Sequence, residues 1–193
     1  RPGSDPVTID VELVRILPAI EGLRKRSDVL ISIDTSKAEV ARRAVAAGAQ
    51  IINEVTALRE ESEMLDVVKQ SNVAVIVMHM LGTPKTMQDA PTYVDVVGEV
   101  RTFLQERAAW LTAQGVACER IIVDPGIGFG KTHQHNLDLV RDLSRFCDLG
   151  RPICLGASRK GFIGKILNRP IDQRAAGSAA VALAGFLRGA AIL

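Results

Sequence analysis

Five polar residues stand where apolar runs stop. Asp34 ends LISID, Asn53 interrupts IINEV, His79 follows VIVM, Asp124 ends IIVD and Ser158 follows CLGA. A carboxylate at the end of a buried strand is costly unless it is hydrogen-bonded, and an amide inside an apolar run needs partners. Each has an ordinary alternative, a bracing or capping Asp or a bonded core amide. As a set, the carboxylates and the amide suit a ligand that offers paired N–H donors, such as the edge of an amino-substituted heterocycle.

Two loops invite a phosphate. DPGIGFGKT, Asp124 to Thr132, ends like a Walker A loop, but Pro125 occupies the place of its first glycine. The dinucleotide fingerprint fails by the same margin, because Lys131 stands where its third glycine belongs. The second loop is LGASRKGFIG, Leu155 to Gly164. A strand ends near Ala157, a helix start is expected after Lys160, and Ser158 is placed to cap it. Free N–H groups beside Arg159 and Lys160 suit an anion, the alternative being a solvated basic turn. His79, His133 and His135 lack metal-ligand spacing, and no Ser-His-Asp arrangement is indicated. The residues together describe a ligand with an amino-heterocycle head and a phosphorylated tail.

The elements that must position these groups read as alternating strands and helices. The strands expected are 29–34, 50–55, 73–80, 121–124, 152–157 and 190–193. They are near-continuous apolar runs, which suits a parallel sheet covered on both faces. Helices are expected over 11–24, with Pro18 kinking it, over 36–47, with Ser36 as N-cap and Gly48 after its end, and over 94–114, closed by Gly115. In the last, Val96, Val97, Val100, Phe103, Leu104, Trp110 and Leu111 recur at helical steps. The fold class is α/β. Polar residues at the carboxyl ends of five strands favour a TIM (β/α)8 barrel over an open doubly wound sheet, where ligand contacts gather at one switch point.

The 193 residues, with no evident linker, read as a single domain spanning 1–193. Lys+Arg 24 against Asp+Glu 22 argues against nucleic-acid binding by bulk charge. No apolar run approaches the roughly 20 residues of a membrane span. The odd set Cys118, Cys147 and Cys154 reads as buried thiols in a reducing compartment. The chain opens on the loop RPGSDP and stops on the strand-like GAAIL, so an internal piece of a longer protein is expected.

At the level of ordered motifs the chain resembles the dihydropteroate synthase family. The resemblance is carried by IDTSK (33–37), INE (52–54), MHM-x-G-x-P-x-T-M-Q (78–88), DPGIGFGK (124–131), GASRKGFIG (156–164) and the opening Arg1-Pro2-Gly3. It implies a pterin-binding (β/α)8 barrel, seen here as an incomplete barrel, that works as a cytoplasmic homodimer. The implied reaction joins 6-hydroxymethyl-7,8-dihydropterin diphosphate to p-aminobenzoate by a dissociative displacement, releasing diphosphate. The implied pterin pocket is lined by Asp34, Asn53, Asp124 and Lys160, with Met78, Phe129 and Gly156 packed around the ring. Lys160, Asp34 and Asp124 are the implied catalytic set. Arg1 would sit on the diphosphate, and Pro2 and Ser158 by the p-aminobenzoate. Lys131 becomes a structural or rim residue. Mg2+ is the implied cofactor, with its ligand in a first-strand motif that these residues lack; the family's segment after residue 193 is lacking too. A pterin-binding methyltransferase barrel and a catalytically silent pterin-binding subunit are the alternatives.

Overall fold

A computed structural model describes residues 7–83, 86–87 and 90–193. Its helices are α1 (Ile9–Arg24), α2 (Ala38–Ala46), α3 (Ser62–Gln70), α4 (Val96–Ala113), α5 (His133–Arg141), α6 (Gly161–Leu167) and α7 (Ala175–Phe186). Its strands are β1 (Ser32–Asp34), β2 (Ile51–Glu54), β3 (Ala74–Met78), β4 (Ile121–Asp124), β5 (Ile153–Cys154) and β6 (Ala190–Ile192). All six strands pair in parallel, in the order β1-β2-β3-β4-β5-β6. The order never reverses, so the described strands have no switch point of the doubly wound kind. Helices next to each other in the chain also touch: α1 on α2, α2 on α3, α4 on α5, α5 on α6 and α6 on α7. A sheet laid down in sequence and backed by a row of helices is the arc of a (β/α)8 barrel, incomplete at six strands.

Each expected strand exists; β4 has its expected span and the other five are shorter than their apolar runs. The middle strands are the most thoroughly covered, β4 being buried at every position. Strand β5 is the shortest. Pro152 has no N–H for the ladder, and a register irregularity sits between Ile153 and Cys154, after which Leu155 N–H donates to Ile192 O at 2.9 Å. The core behind the sheet includes Ile52, Met64, Leu104, Leu111 and Phe146, each essentially without exposure. A smaller cluster of Met78, Met80 and Met87, with Val55 and Phe129 against it, lies apart from that core.

The structure corrects three expectations. Ser36 is not the cap of α2. The helix begins at Ala38, whose N–H is taken by Glu61 Oε2 at 2.9 Å, while Thr35 Oγ1 accepts from Lys37 N–H at 3.2 Å. Helix α4 buries Val96, Val97, Val100, Leu104 and Leu111, but Trp110 is turned outward with the Arg107 guanidinium 4.0 Å from its ring. The cysteines are free, as expected, but not buried: Cys147 is exposed, and Cys118 and Cys154 are half-buried. Pro18 lies inside α1, which continues through it. No helix among the described residues is long and apolar enough to cross a membrane.

Candidate active site

Parallel register does the first part of the positioning. It sets Asp34 of β1 beside Asn53 of β2, and Met78 of β3 beside Asp124 of β4. These four residues stand at the carboxyl edge of the sheet and open into one cavity of about 230 Å³. Val55 completes the β2 side, Ile127 and Phe129 come from the loop after β4, and Gly156, Ser158 and Lys160 come from the segment after β5. Of the ten residues expected from the sequence, eight therefore line a single pocket. Arg1 and Pro2 lie outside the described residues. Val55 and Ile127 were not foreseen, because an apolar residue next to a polar one carries no separate signal in a sequence. A larger groove of about 330 Å³ between the start of α4 and helix α5 holds none of these residues. Its charges are largely mutual, with Arg141 paired to both Asp138 and Asp142.

The polar end of the pocket is under electrostatic tension. Asp124 is 7 % exposed, and its Oδ1 accepts from Gly126 N–H at 2.6 Å. Burial pushes its pKa up to about 6, against the pull of that bond and of Lys160. The neighbouring Cys154 thiol is pushed up to about 12, first by burial and then by the Asp124 charge. Asn53 Oδ1 is buried and has no hydrogen-bond partner among the described residues. Such an orphan is rare in a folded protein and points to a donor supplied by a ligand. Asp34 is more open to solvent, yet loss of water around it still raises its carboxyl above the usual range.

Lys160 spans from the basic loop to the carboxylates. Its Nζ lies 4.2 Å from the centre of the Phe129 ring. Burial lowers its pKa, and the charges of Asp124 and Asp34 oppose that fall. Its loop is held from outside the pocket. Arg159 adopts the left-handed conformation, φ +51°, which a non-glycine side chain rarely takes without support. Ser178 of α7 supplies part of it, since its Oγ accepts from Arg159 N–H at 2.8 Å. Arg174 supplies the rest, donating to Arg159 O at 3.1 Å, to Lys160 O at 3.5 Å and to Arg169 O at 3.1 Å. A Cβ on Gly164 would lie 2.2 Å from that guanidinium, which accounts for the last glycine of the motif. Ser158 corrects an expectation: it is exposed in the pocket wall and does not cap α6, where the capping position is Lys160 without a side-chain bond.

The DPGIGFGK loop is shaped by contact with the segment after β3. Gly126 has φ +70°, and a Cβ there would lie 1.9 Å from His79 O. Gly130 has φ +63°, and its Cβ would meet Leu81 at 2.7 Å. The glycines thus serve close approach between two loops. Lys131 follows them and is 3 % exposed, so it belongs to the interior and not to a rim. Its Nζ reaches His79 Nδ1 at 2.9 Å, His79 O at 3.3 Å and Phe129 O at 2.9 Å. Burial pushes His79 down to about 3 and Lys131 down to about 7. Glu54 is a further buried carboxylate that sequence reasoning passed over. It binds its own loop, accepting from Thr56 N–H at 3.1 Å, Thr56 Oγ1 at 2.8 Å and Leu58 N–H, and so supports two left-handed residues, Ala57 and Leu58. The spacing Glu-x-Thr in INEVT was the available clue. Among the described residues, no group of three or more His, Cys, Asp or Glu side chains could hold a metal ion.

The family described as pterin binding enzyme matches residues 1–193. Dihydropteroate synthase of Haemophilus influenzae is 45% identical over 193 residues, which are 100% of this chain and 70% of that protein. The chain belongs to the pterin-binding enzyme family, among the dihydropteroate synthases. The solved structure of the Yersinia pestis dihydropteroate synthase with a sulfonamide drug complex superposes with a TM-score of 0.96 at 39% identity, covering 100% of this chain and 70% of that one. The Xanthomonas albilineans dihydropteroate synthase with 4-aminobenzoic acid gives 0.93 at 45% identity, with coverage of 100% and 68%. These relatives are synthases, which disfavours the methyltransferase alternative for this member of the pterin-binding family.

Proposed function

We propose that the protein carrying this chain condenses 6-hydroxymethyl-7,8-dihydropterin diphosphate with p-aminobenzoate to give 7,8-dihydropteroate and diphosphate. The single observation that carries the reading is the pocket itself. Two carboxylates and an unpaired amide oxygen stand at one end, and a lysine from a basic loop reaches over from the other.

In this proposal Asp124, Asn53 and Asp34 accept the N–H donors on the pterin's amino-pyrimidine edge. Met78, Val55, Phe129 and the open backbone at Gly156 form the walls around the ring. Lys160 donates to a ring heteroatom, and Ser158 lies on the p-aminobenzoate side. Arg1 and Pro2 are assigned to the diphosphate and p-aminobenzoate by family resemblance. The bond from the pterin methylene carbon to the diphosphate oxygen breaks with its electron pair leaving on diphosphate. The p-aminobenzoate nitrogen then bonds to that carbon and loses a proton. No covalent protein intermediate is needed, and the side chains contribute positioning and stabilisation of the separating charge. Magnesium is the family's expected partner for diphosphate, but the described residues do not gather a site for it, and no step is routed through it.

The chain spans about seven tenths of the relatives it matches, so the whole protein is the proper test object. Residues 1–193 are read as part of one barrel domain in the cytoplasm. A homodimer is included in the proposal by family resemblance. The test is a coupled assay on the full-length protein with the two substrates, following diphosphate release. Release that depends on both substrates is expected. Pterin binding without release would favour a silent pterin-binding subunit. Lys160→Ala is expected to remove most turnover while shifting the unfolding midpoint little; equal losses in both would make Lys160 structural.

A further inference from the structure

We propose that Lys131 and His79 form a positioning pair that sets the width of the pocket between its two apolar walls. The inference deepens the functional reading above and rests on it. One wall, Met78, is the last residue of β3, directly before His79. The other, Ile127 and Phe129, lies in the loop directly before Lys131. The Lys131 ammonium uses its donors on both sides. Two go to His79, at Nδ1 and at the carbonyl, and one goes to Phe129 O. With the lysine charged it has donors and no acceptor, so Nδ1 of His79 then accepts as the bare nitrogen and the ring carries its proton on Nε2.

A simple filler would not be built this way. Lys131 is 3 % exposed and His79 6 %, and burying an ammonium is expensive unless its donors are well used. An apolar side chain of similar length would fill the space without that cost. What it would lack is a rigid three-point tie across a gap that Gly126 and Gly130 make unusually narrow. The imidazole is in turn held edge-on by Phe103, with ring centres 4.9 Å apart, so the acceptor does not swing. Neither residue lines the pocket, so each acts through the walls and through Asp124, whose charge is felt at Lys131.

The experiment uses the full-length protein, with 6-hydroxymethylpterin as the calorimetric probe and urea unfolding as the control for stability. Lys131→Met keeps length and removes the donors. It is expected to weaken pterin binding by about tenfold or more, beyond any effect its stability loss explains. His79→Phe keeps the ring packing and loses the acceptor, and should weaken binding to a similar degree. His79→Asn keeps an amide oxygen near the Nδ1 position, and should stay within about threefold of wild type despite lower stability. Binding by Lys131→Met within about twofold of wild type would overturn the proposal. So would equal losses in His79→Asn and His79→Phe, which also decide the matter if Lys131→Met does not fold. A wild-type protein that binds no pterin would instead overturn the functional reading, and this inference with it.

Discussion

The two ends of the pocket are positioned by different physics. Asp34, Asn53 and Asp124 stand on strands, and neighbouring strands fix them through ladder hydrogen bonds and a buried apolar face. Ser158 and Lys160 stand on a loop whose shape depends on side chains beyond the site, Arg174 and Ser178, bonded to its backbone. The first arrangement is rigid wherever the sheet is intact. The second can be loosened without touching the sheet. Damage to the strand end should therefore appear as lost ring affinity, and damage to the loop end mainly as lost turnover, with a smaller loss of ring affinity through Lys160.

The largest expected effect tests the strand end. Asp124→Asn keeps an oxygen for Gly126 N–H but removes the charge and one acceptor of a paired contact. Pterin affinity, measured by calorimetry on the full-length protein, is expected to fall roughly a hundredfold, about 3 kcal/mol. The free protein should be no less stable at neutral pH. Asp124 has a folded pKa of about 6 against the ordinary carboxylate's 3.8, so the folded state binds more protons than the unfolded state between those values. Its ionisation therefore lowers stability as pH rises through that window, by roughly 3 kcal/mol in all for a shift of about two units. A variant that lost affinity and stability together would make Asp124 a structural carboxylate.

The same carboxylate gives the next effect. Binding requires it ionised, so wild-type affinity for the pterin should fall as pH drops through about 6, approaching tenfold per unit below it. Stability and affinity thus respond to Asp124 with opposite signs. Calorimetry at pH 7 and pH 5 checks this, and Asp124→Asn should lose that acid limb. A limb that survives in the variant would assign it to another group.

The strand end was legible in the sequence and the loop end only in part. In a buried parallel strand nearly every residue is apolar, so Asp34, Asn53 and Asp124 stood out as interruptions with a shared place at the strand's end. The glycine spacing of DPGIGFGK excluded two nucleotide loops for a sound reason, since those glycines face the residues after β3. What stayed hidden was held by contacts distant along the chain. Lys131 meets His79 across 52 residues, and Arg174 reaches Arg159 across 15. The misread caps have different causes. Ser36 and Ser158 are the residue types that cap helices, but Glu61 and the backbone geometry at Lys160 took those places. Local propensity is a weak guide where a distant side chain can supply the same hydrogen bond.

A smaller effect is expected from loosening the loop end. Arg174→Ala removes the donors to Arg159 O and Lys160 O, and a third to Arg169 O after α6. Turnover should fall about fivefold, with the unliganded sheet and pterin affinity nearly intact. The split between kcat and pterin Kd is the readout. A variant that lost pterin affinity as fully as Asp124→Asn would show that the two ends are not independently positioned.

The smallest effect discriminates most finely between a clamp and a bystander. Gly164→Ala adds a methyl group that would fall 2.2 Å from the Arg174 guanidinium. That guanidinium is the far end of a flexible side chain, so it swings aside at little cost, and α6 gains an alanine where alanine is the better helix former. Stability should change by less than about 1 kcal/mol in either direction. If the Arg174 bonds to Arg159 and Lys160 are what aim the lysine, turnover should still fall, by about twofold to threefold, in the direction of Arg174→Ala. The double variant should then be no worse than Arg174→Ala alone, because a displaced clamp and a deleted clamp leave the same loop. Additive losses in that double-mutant cycle would assign Gly164 its own role in α6 and leave Lys160 to be positioned by its contact with Phe129.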